Sequence, residues 1–534
     1  MKKKIGKNVI WGLAVTVLMI VYLGIFTYLN LAKYEQHVDS DIAAEALLAR
    51  EIWEQKTLTP DDWIASTERY LFGMPMVASV FYGLTGSMKT SVGIACVMIG
   101  AAVIAAIYYV LRKLELSRLA SGAALLVIMA IPINGLRNEG QMVPFVALLL
   151  FVFADYYALH TILLFLSIVY YLHLKEMGAT KEKLGRKDIF AGLCLLGFAT
   201  LISCGGQRCL QIVILPLVIY EIICLFLDSE GFSKKLPIRR YWATGFIGLS
   251  LLGYIISSMY QGQADYVMYL QKPGEILNRV FITVPAALLE GFGIAGAERV
   301  GNFGSLMQML VWTFLALVIY GLVYMFRKKN QVISRQKEAM LLLLTSLGIT
   351  VGIICITTAE AAHNYLLVSW FVAMVAVAVL VDAFRRKKSL FSDIILAAVC
   401  GFALLNLGYT WKDAVCTTDN LQEYQEVAEF MLDEDIEYGY AEFWDAERIA
   451  MVVDGAVTMG CAYGMEDLKM YWWLTSKKWY PPNLPEDMKV AYVVKNPKKE
   501  AFLGQLEDAD VVELQFENDR FAVYVSDKNL MKMQ

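Results

Sequence analysis

Eleven apolar runs, each close to the length of one membrane crossing, are strung along this 534-residue chain, with lysine and arginine clusters at five of the gaps between them. A helix needs about 20 mostly apolar residues to span a hydrocarbon core roughly 30 Å thick. The runs are 9–31, 90–111, 119–134, 157–173, 189–204, 209–227, 241–260, 305–326, 338–358, 365–384 and 390–409. The first follows Lys2-Lys3-Lys4, is longer than a signal peptide's apolar core and has no A-x-A ending, so it is expected to be a retained anchor with a cytoplasmic N-terminus. The clusters are Arg112/Lys113/Arg118, Lys181/Lys183/Arg186/Lys187, Lys234/Lys235/Arg239/Arg240, Arg327/Lys328/Lys329 and Arg385–Lys388. With eleven crossings all five share the cytoplasmic side, and the C-terminus lies outside. Residues 141–153 are too short for a comfortable crossing and are read as re-entrant or interfacial, with thirteen spans as the alternative.

Composition sharpens the boundary at the end of the last run. Residues 410–534 hold 25 acids and 12 bases, a net charge of -13, while the preceding 409 residues are net +9. A hydrophobic fraction of 58% excludes a disordered chain and a disulfide-rich scaffold, and the charge split excludes a binder of nucleic acid built on a basic domain. The expected fold is a polytopic α-helical membrane protein with a C-terminal extracytoplasmic α/β domain. The body, 1–409, includes outer loops 33–89 and 261–304, and the acidic soluble domain is 410–534. In the tail, 422–432, 446–453 and 498–506 read as helices, and 438–443, 457–462, 490–494, 511–516 and 521–525 as strands, the last two joined at Glu517–Arg520. Its aromatic loop, Trp472, Trp473, Trp479 and Tyr480 with Pro481-Pro482, fits core packing or a carbohydrate-facing surface. Seven of nine cysteines fall in the apolar runs, while Cys416 and Cys461 lie in the tail, where an outside location permits a disulfide.

The first outer loop concentrates the chemistry. At helical spacing, Ile42, Ala46, Ala49 and Trp53 make an apolar stripe, and His37, Asp41, Glu45 and Leu48 make the stripe beside it. A helix lying on the membrane would hold Asp41 and Glu45 at the lipid–water boundary, where a lipid-linked substrate presents its phosphate. Asp39 or Ser40 is also a good N-cap, and Thr59-Pro60-x-Asp62 reads as another helix start. Arginines outside or at the boundary are Arg137, Arg208, Arg279 and Arg299. Arg208 follows Gly205-Gly206 at a tight turn between two runs, fitting either a ligand contact or a snorkelling side chain. Asp155 and His160 flank Tyr156-Tyr157 near an outer face, and intramembrane ionisable residues are functional candidates by default.

Asp41, followed by Ala44 and by Ala49-Arg50-Glu51, resembles the first extracytoplasmic loop of the GT-C glycosyltransferase superfamily. The likeness is to its protein mannosyltransferase and aminoarabinose transferase branches, in which an aspartate stands eight residues before the alanine of an "ARE" segment. Residues 66–70 up to 80–86 are similar to the family's re-entry helix. His363-Asn364-Tyr365-Leu366-Leu367 looks like its "RYLL" segment, with Asn364 where the arginine usually stands.

The resemblance, which covers roughly 1–409, implies transfer of a sugar from a polyprenyl-phosphate donor to an extracytoplasmic acceptor of the cell envelope, whether glycan, lipid or protein. Inversion would follow from an aspartate general base. It makes Asp41 the base and Glu45 its neighbour, and it implies lipid-phosphate contacts among Arg208, Arg279, His363, Asn364, Tyr365 and His160. A divalent metal (Mg or Mn) held by Asp41 and Asp155 is a further expectation that no ligand spacing identifies. The lipid bilayer is the surrounding partner and nucleic acid is not one. Two other classes stand against this reading. A lipid or glycan transporter or flippase would carry charges and paired breaks inside related spans, and a catalytically silent subunit would use its tail to bind a partner. No Asn-x-Ser/Thr sequon occurs, which favours a bacterial plasma membrane.

Overall fold

Each of the eleven apolar runs forms a helix in the computed structural model of the chain, which describes residues 6–66, 72–132, 143–180, 183–227, 238–259, 268–294, 303–327, 330, 332–417, 421–481, 483–484, 487–506 and 508–532. Eight of them are long and apolar enough to cross a membrane: Lys7–Ala32, Met88–Lys113, Ala158–Gly178, Ile238–Met259, Gln308–Phe326, Ser334–Ile356, His363–Arg386 and Leu390–Cys416. Arg118–Ala130 and Leu210–Cys224 are shorter apolar helices, and Arg186–Ser203 opens with Arg186, Lys187 and Asp188. The disputed piece between them is a six-residue helix, Phe145–Leu150, that gives way to turns. Phe153 and Asp155 there adopt the left-handed backbone (φ 64° and 52°), so the helix ends at Leu150 and the next begins at Ala158.

The chain packs as two units interleaved in sequence. One comprises Met1–Thr27, Met98–Ile255 and Val267–Cys416, the other Tyr28–Val97, Ile256–Tyr266 and Thr417–Gln534.

The membrane unit is built around helix Val368–Arg386, in which every residue from Val368 to Asp382 is buried. Its neighbours are the helices Arg118–Ala130, Phe303–Phe326, Ser334–Ile356 and Leu390–Asn406. Lipid tails are as apolar as leucine, so helices associate through close packing, which small residues permit. Ala373, Ala376 and Ala378 supply that here, and a Cβ on Gly321 would stand 3.1 Å from the Ala376 Cβ. Buried polar groups stitch the helices through backbone carbonyls that water cannot reach. The Asn406 amide donates to the oxygens of Ala130 (2.7 Å) and Pro132 (2.8 Å), and the Tyr22 hydroxyl donates to that of Ala403 (2.8 Å).

The second unit joins the first loop to the tail. Its five-stranded sheet has strands β1 (Tyr438–Glu442), β2 (Thr458–Ala462), β3 (Asp487–Lys495), β4 (Glu513–Glu517) and β5 (Phe521–Lys528). Their order is β2-β1-β3-β5-β4, with β1 parallel to both neighbours and the β3–β5 and β5–β4 pairs antiparallel. The hairpin between β4 and β5 turns at the expected place, where the Asn518 side chain accepts from the backbone N–H of Arg520 (3.0 Å) and Phe521 (2.8 Å). Helices Gln422–Asp433 and Phe443–Val452 pack together, and the second also packs on β2 and on helix Ser40–Gln55.

Ser40–Gln55 is rich in alanine, leucine, glutamate and arginine, all strong helix formers. Asp39 caps it, with Oδ1 accepting from Ile42 N–H at 3.0 Å. The helix therefore begins after Asp39, and His37 belongs to a separate turn, Tyr34–His37, so the expected continuous stripe from His37 to Leu48 is broken at its first member. Its alanines admit two close neighbours, Phe443–Val452 and the helix Met74–Thr85. Trp53 of this helix fits over Gly83, where any Cβ would overlap the indole. The Thr59-Pro60 segment does not start a helix. It turns into Trp63–Ile64, which pairs antiparallel with Thr475–Ser476, and Asp62 O accepts from Lys477 N–H (2.8 Å). Edge pairing with the tail wins over the local N-cap signal.

Candidate active site

In the second unit, Asp41 stands in the first turn of its helix, partly open to solvent, while Glu45 one turn further on is buried. Three side chains from the tail gather around Asp41. The Trp473 indole N–H donates to Asp41 Oδ1 at 3.4 Å, and Asp41's charge is felt by Tyr471 and Glu447. Burial, with the Asp39 carboxylate adding to it, pushes Asp41 up to about 7, against the pull of the Trp473 N–H. Asp39 is raised in turn by burial, opposed by the Ile42 N–H and the charge of Arg448. Arg448 itself lies flat 4.2 Å over the Tyr424 ring and donates to the Tyr424 hydroxyl (2.9 Å).

Glu447 is fully buried. Its Oε1 accepts from the Cys461 thiol at 3.1 Å, and its Oε2 has no hydrogen-bond partner among the described residues. Burial lifts its carboxyl to about 8; the Cys461 contact opposes the rise and the Asp41 charge adds to it. Cys461 and Cys416 are both free thiols. Arg50, from the "ARE" segment, donates to Gly455 O (2.5 Å) and pairs with Glu54 (2.7 Å), so it ties the loop helix to the tail. Gly455 has φ +74°, and a Cβ there would strike the Arg50 guanidinium.

Sequence reading overlooked Glu447 and Tyr471, and singled out Cys461 only as a possible disulfide partner. The signal existed for Glu447: in helix 443–452 the buried positions are Phe443, Asp445, Ala446, Glu447, Ile449, Ala450 and Met451, and a buried acid needs a reason, which Asp445 has in Lys495 (2.9 Å) and Arg520 (3.2 Å). The aromatic loop divides. Trp479 packs edge-on against Trp63 (5.9 Å) and Tyr480 is wholly buried against Tyr440 and Trp472, whereas Trp473 reaches Asp41.

The membrane unit holds a second group. Asp155 and His160 are buried, and neither the carboxylate oxygens of the first nor the ring nitrogens of the second have a hydrogen-bond partner among the described residues. Burial drives Asp155 well above the usual carboxylate range. The Arg208 guanidinium lies 4.1 Å over the Tyr157 ring, and its charge acts on His160. The turn that delivers Arg208 needs Gly206, whose φ is +141°.

Elsewhere in this unit, His363 faces Glu290 (3.5 Å) and the edge of Phe145 (4.8 Å), and Asn364 Oδ1 is buried without a hydrogen bond among the described residues. Tyr365 is exposed. Arg279 Nη1 is taken up by the carbonyls of Ile354 and Thr357 (2.9 Å each) and Ala359 (2.5 Å), at the end of helix Ser334–Ile356. Arg137 and Arg299 lie outside the described residues. Among those described, no three His, Cys, Asp or Glu side chains converge as a metal site requires. Asp39, the nearest acid to Asp41 in sequence, is occupied as a cap, so the divalent metal expected at Asp41 and Asp155 lacks a donor set and enters no step below.

No family model and no curated protein matches the chain. Solved structures do. ArnT, the aminoarabinose transferase, from Cupriavidus metallidurans bound to undecaprenyl phosphate superimposes with a TM-score of 0.54 at 12% identity, over 97% of this chain and 99% of that one. The apo form gives 0.48 at 12% identity (96% and 97% covered), and the Archaeoglobus fulgidus oligosaccharyltransferase gives 0.46 at 11% (92% and 71%). At such identity the likeness speaks for the fold, and it meets the expectation of a GT-C architecture drawn from Asp41 and the "ARE" segment. The chain is a multi-pass membrane protein with the fold of ArnT from end to end.

Proposed function

We propose that this protein is an inverting membrane glycosyltransferase that moves a sugar from a polyprenyl phosphate to a hydroxyl acceptor of the cell envelope, on the outer side of a bacterial plasma membrane. The observation that carries the reading is Asp41, a partly open carboxylate whose pKa is held near neutrality. Polyprenyl phosphate is a good leaving group, so the reaction lacks chiefly a deprotonated acceptor. A base poised near the working pH supplies it. The acceptor O–H proton passes to Asp41. The acceptor oxygen bonds to the anomeric carbon opposite the phosphate, and the sugar–phosphate bond breaks with its electron pair leaving on the phosphate. The configuration inverts.

For the departing phosphate the membrane unit offers Arg208, steered by Tyr157, with His160 beside it. Cations fixed where charge develops are the largest usual source of rate enhancement. Buried Asp155 and His160, unpartnered within the described residues, suit a pocket whose polar partner is a ligand. The packing of the Asp41 helix against the tail supports reading both on one side of the membrane, the outer side by the lysine and arginine clusters.

The test is reconstitution in proteoliposomes with a panel of polyprenyl-phosphate sugars and an envelope extract. Protein-dependent release of free polyprenyl phosphate, with an inverted linkage in the product by NMR, is expected. Release with retained configuration overturns the inverting, general-base reading; no release with any donor overturns the transferase reading itself and favours a silent subunit.

A further inference from the structure

The acid-rich unit carries a connected set of aromatic rings that runs from its core, at Phe443, out to its surface. Trp444 stands 5.2 Å from Phe443, Phe443 5.5 Å from Tyr471, and Tyr471 lies nearly parallel to Trp473 (17°, 6.5 Å). Tyr463 branches from Tyr471 at 5.8 Å. The inner end is chemical, because Trp473 donates to Asp41. The outer end is bare: Trp444 is 58% and Tyr463 71% exposed. Trp479 and Tyr480, a few residues on in the same unit, are closed into the core. Single exposed aromatics need no explanation, but exposed Tyr463 leads through half-buried Tyr471 and Trp473 to a carboxylate, with exposed Trp444 joined to them through buried Phe443, and such a grouping marks a binding surface. Trp and Tyr suit that role, since each gives a large rigid face at the entropy of two rotatable bonds.

The charges beside the row say what kind of ligand it takes. Lys495 is paired with Glu442 (3.1 Å) and Asp445 (2.9 Å), Lys498 with Glu442 (2.5 Å) and Glu466 (3.4 Å), and Lys469 with Asp467 (3.3 Å). With these cations spent and residues 410–534 at net -13, a phosphate-bearing or carboxylate-rich polymer meets repulsion here. Sugar rings offer the matching shape: flat C–H faces that lie on aromatic rings, and hydroxyls at their edges.

We propose that Tyr463, Tyr471 and Trp473, with exposed Trp444 at their flank, form the docking track for an uncharged glycan acceptor whose end hydroxyl is delivered to Asp41. This rests on the glycosyltransferase reading for its last step only. The acceptor class is thereby a neutral oligosaccharide chain.

The experiment measures binding without donor, so it is independent of transfer. Full-length protein in nanodiscs is titrated with four soluble tetrasaccharides (linear tetramers of glucose in α-1,4 and β-1,4 linkage, of mannose, and of N-acetylglucosamine) and with polyglycerol phosphate, using saturation-transfer NMR. At least one tetrasaccharide is expected to bind, with W444A and Y463A each weakening it by about 10-fold, and polyglycerol phosphate is expected not to compete. Both substitutions are at exposed positions, and thermal melting checks their folding. Absence of binding by all four, indifference to both substitutions, preference for the polyanion, or quenching of the Trp444 fluorescence by brominated lipid overturns the proposal; the last reassigns the row to the membrane interface. Tetrasaccharide binding without any sugar transfer leaves the track standing and removes the transferase reading. Transfer at the parent rate in the W444A/Y463A double variant does the reverse.

Discussion

Two carboxylates, one in each unit, are raised above the usual range by burial, and only one of them, Asp41, also has a like-charged neighbour in Asp39. Asp41 sits at the edge of a cluster supplied by the tail, keeps one donor in the Trp473 N–H, and remains partly open. Asp155 is enclosed, strained into the left-handed backbone, and has no hydrogen-bond partner among the described residues. A carboxylate with a weak partner and an opening can trade protons with an acceptor near neutral pH. One with no partner is a costly buried polar group that a ligand can satisfy. On the proposed reading, the contrast separates a proton-transfer centre in the acidic unit from a phosphate-binding pocket in the membrane unit.

Removing the pocket's cation is the strongest way to break that division. Arg208→Ala is expected to lower kcat/KM on the order of 10²-fold, while leaving the pH dependence of the remaining rate unchanged, because Asp41 is untouched. A change in the pH profile instead would mean that Arg208 tunes the base and that the two centres are not separate.

Glu447 sharpens the comparison from the other side. Its folded-state pKa, about 8, lies above the ordinary carboxylate value, so its contribution to stability is complete below the unfolded-state pKa of about 4.3 and is lost as pH rises to about 8. Thermal melting of the parent is expected to fall between pH 5 and pH 8, and E447Q, neutral at every pH, should flatten that decline. An equal slope in both proteins would show that Glu447 is not buried beside Asp41.

The smallest effect is expected from Trp473→Phe. Loss of the indole donor favours the protonated form of Asp41, so the acid limb of the rate profile, near pH 7 in the parent, moves upward. A downward move would contradict the hydrogen bond.

How much of this was legible in the sequence follows the range of the interactions involved. The helices were readable because crossing a bilayer demands a long apolar run, and the tail strands because alternation and turn residues are local; Asn518 closed its hairpin where expected. Asp39 was readable as a cap. The tail's contribution to the site was not, because Glu447, Tyr471 and Trp473 meet Asp41 across some 400 residues of chain, with no local mark beyond one acid on an apolar stripe. Thr59-Pro60 misled for the same reason, since the pairing of Trp63–Ile64 with Thr475–Ser476 is decided by distant chain. Arg279 looked like a phosphate ligand from its charge alone, yet three carbonyls take it up at a helix end.

The decisive measurement is the rate of an Asp41→Asn variant, with expression and membrane insertion verified, in proteoliposomes supplied with the polyprenyl-phosphate sugar that the parent uses. Loss of a general base predicts a fall of at least about 10²-fold in glycosylated product with donor binding intact. Product formed at the parent rate would remove Asp41 from the reaction, and with it the assignment of the acidic unit as the centre of proton transfer.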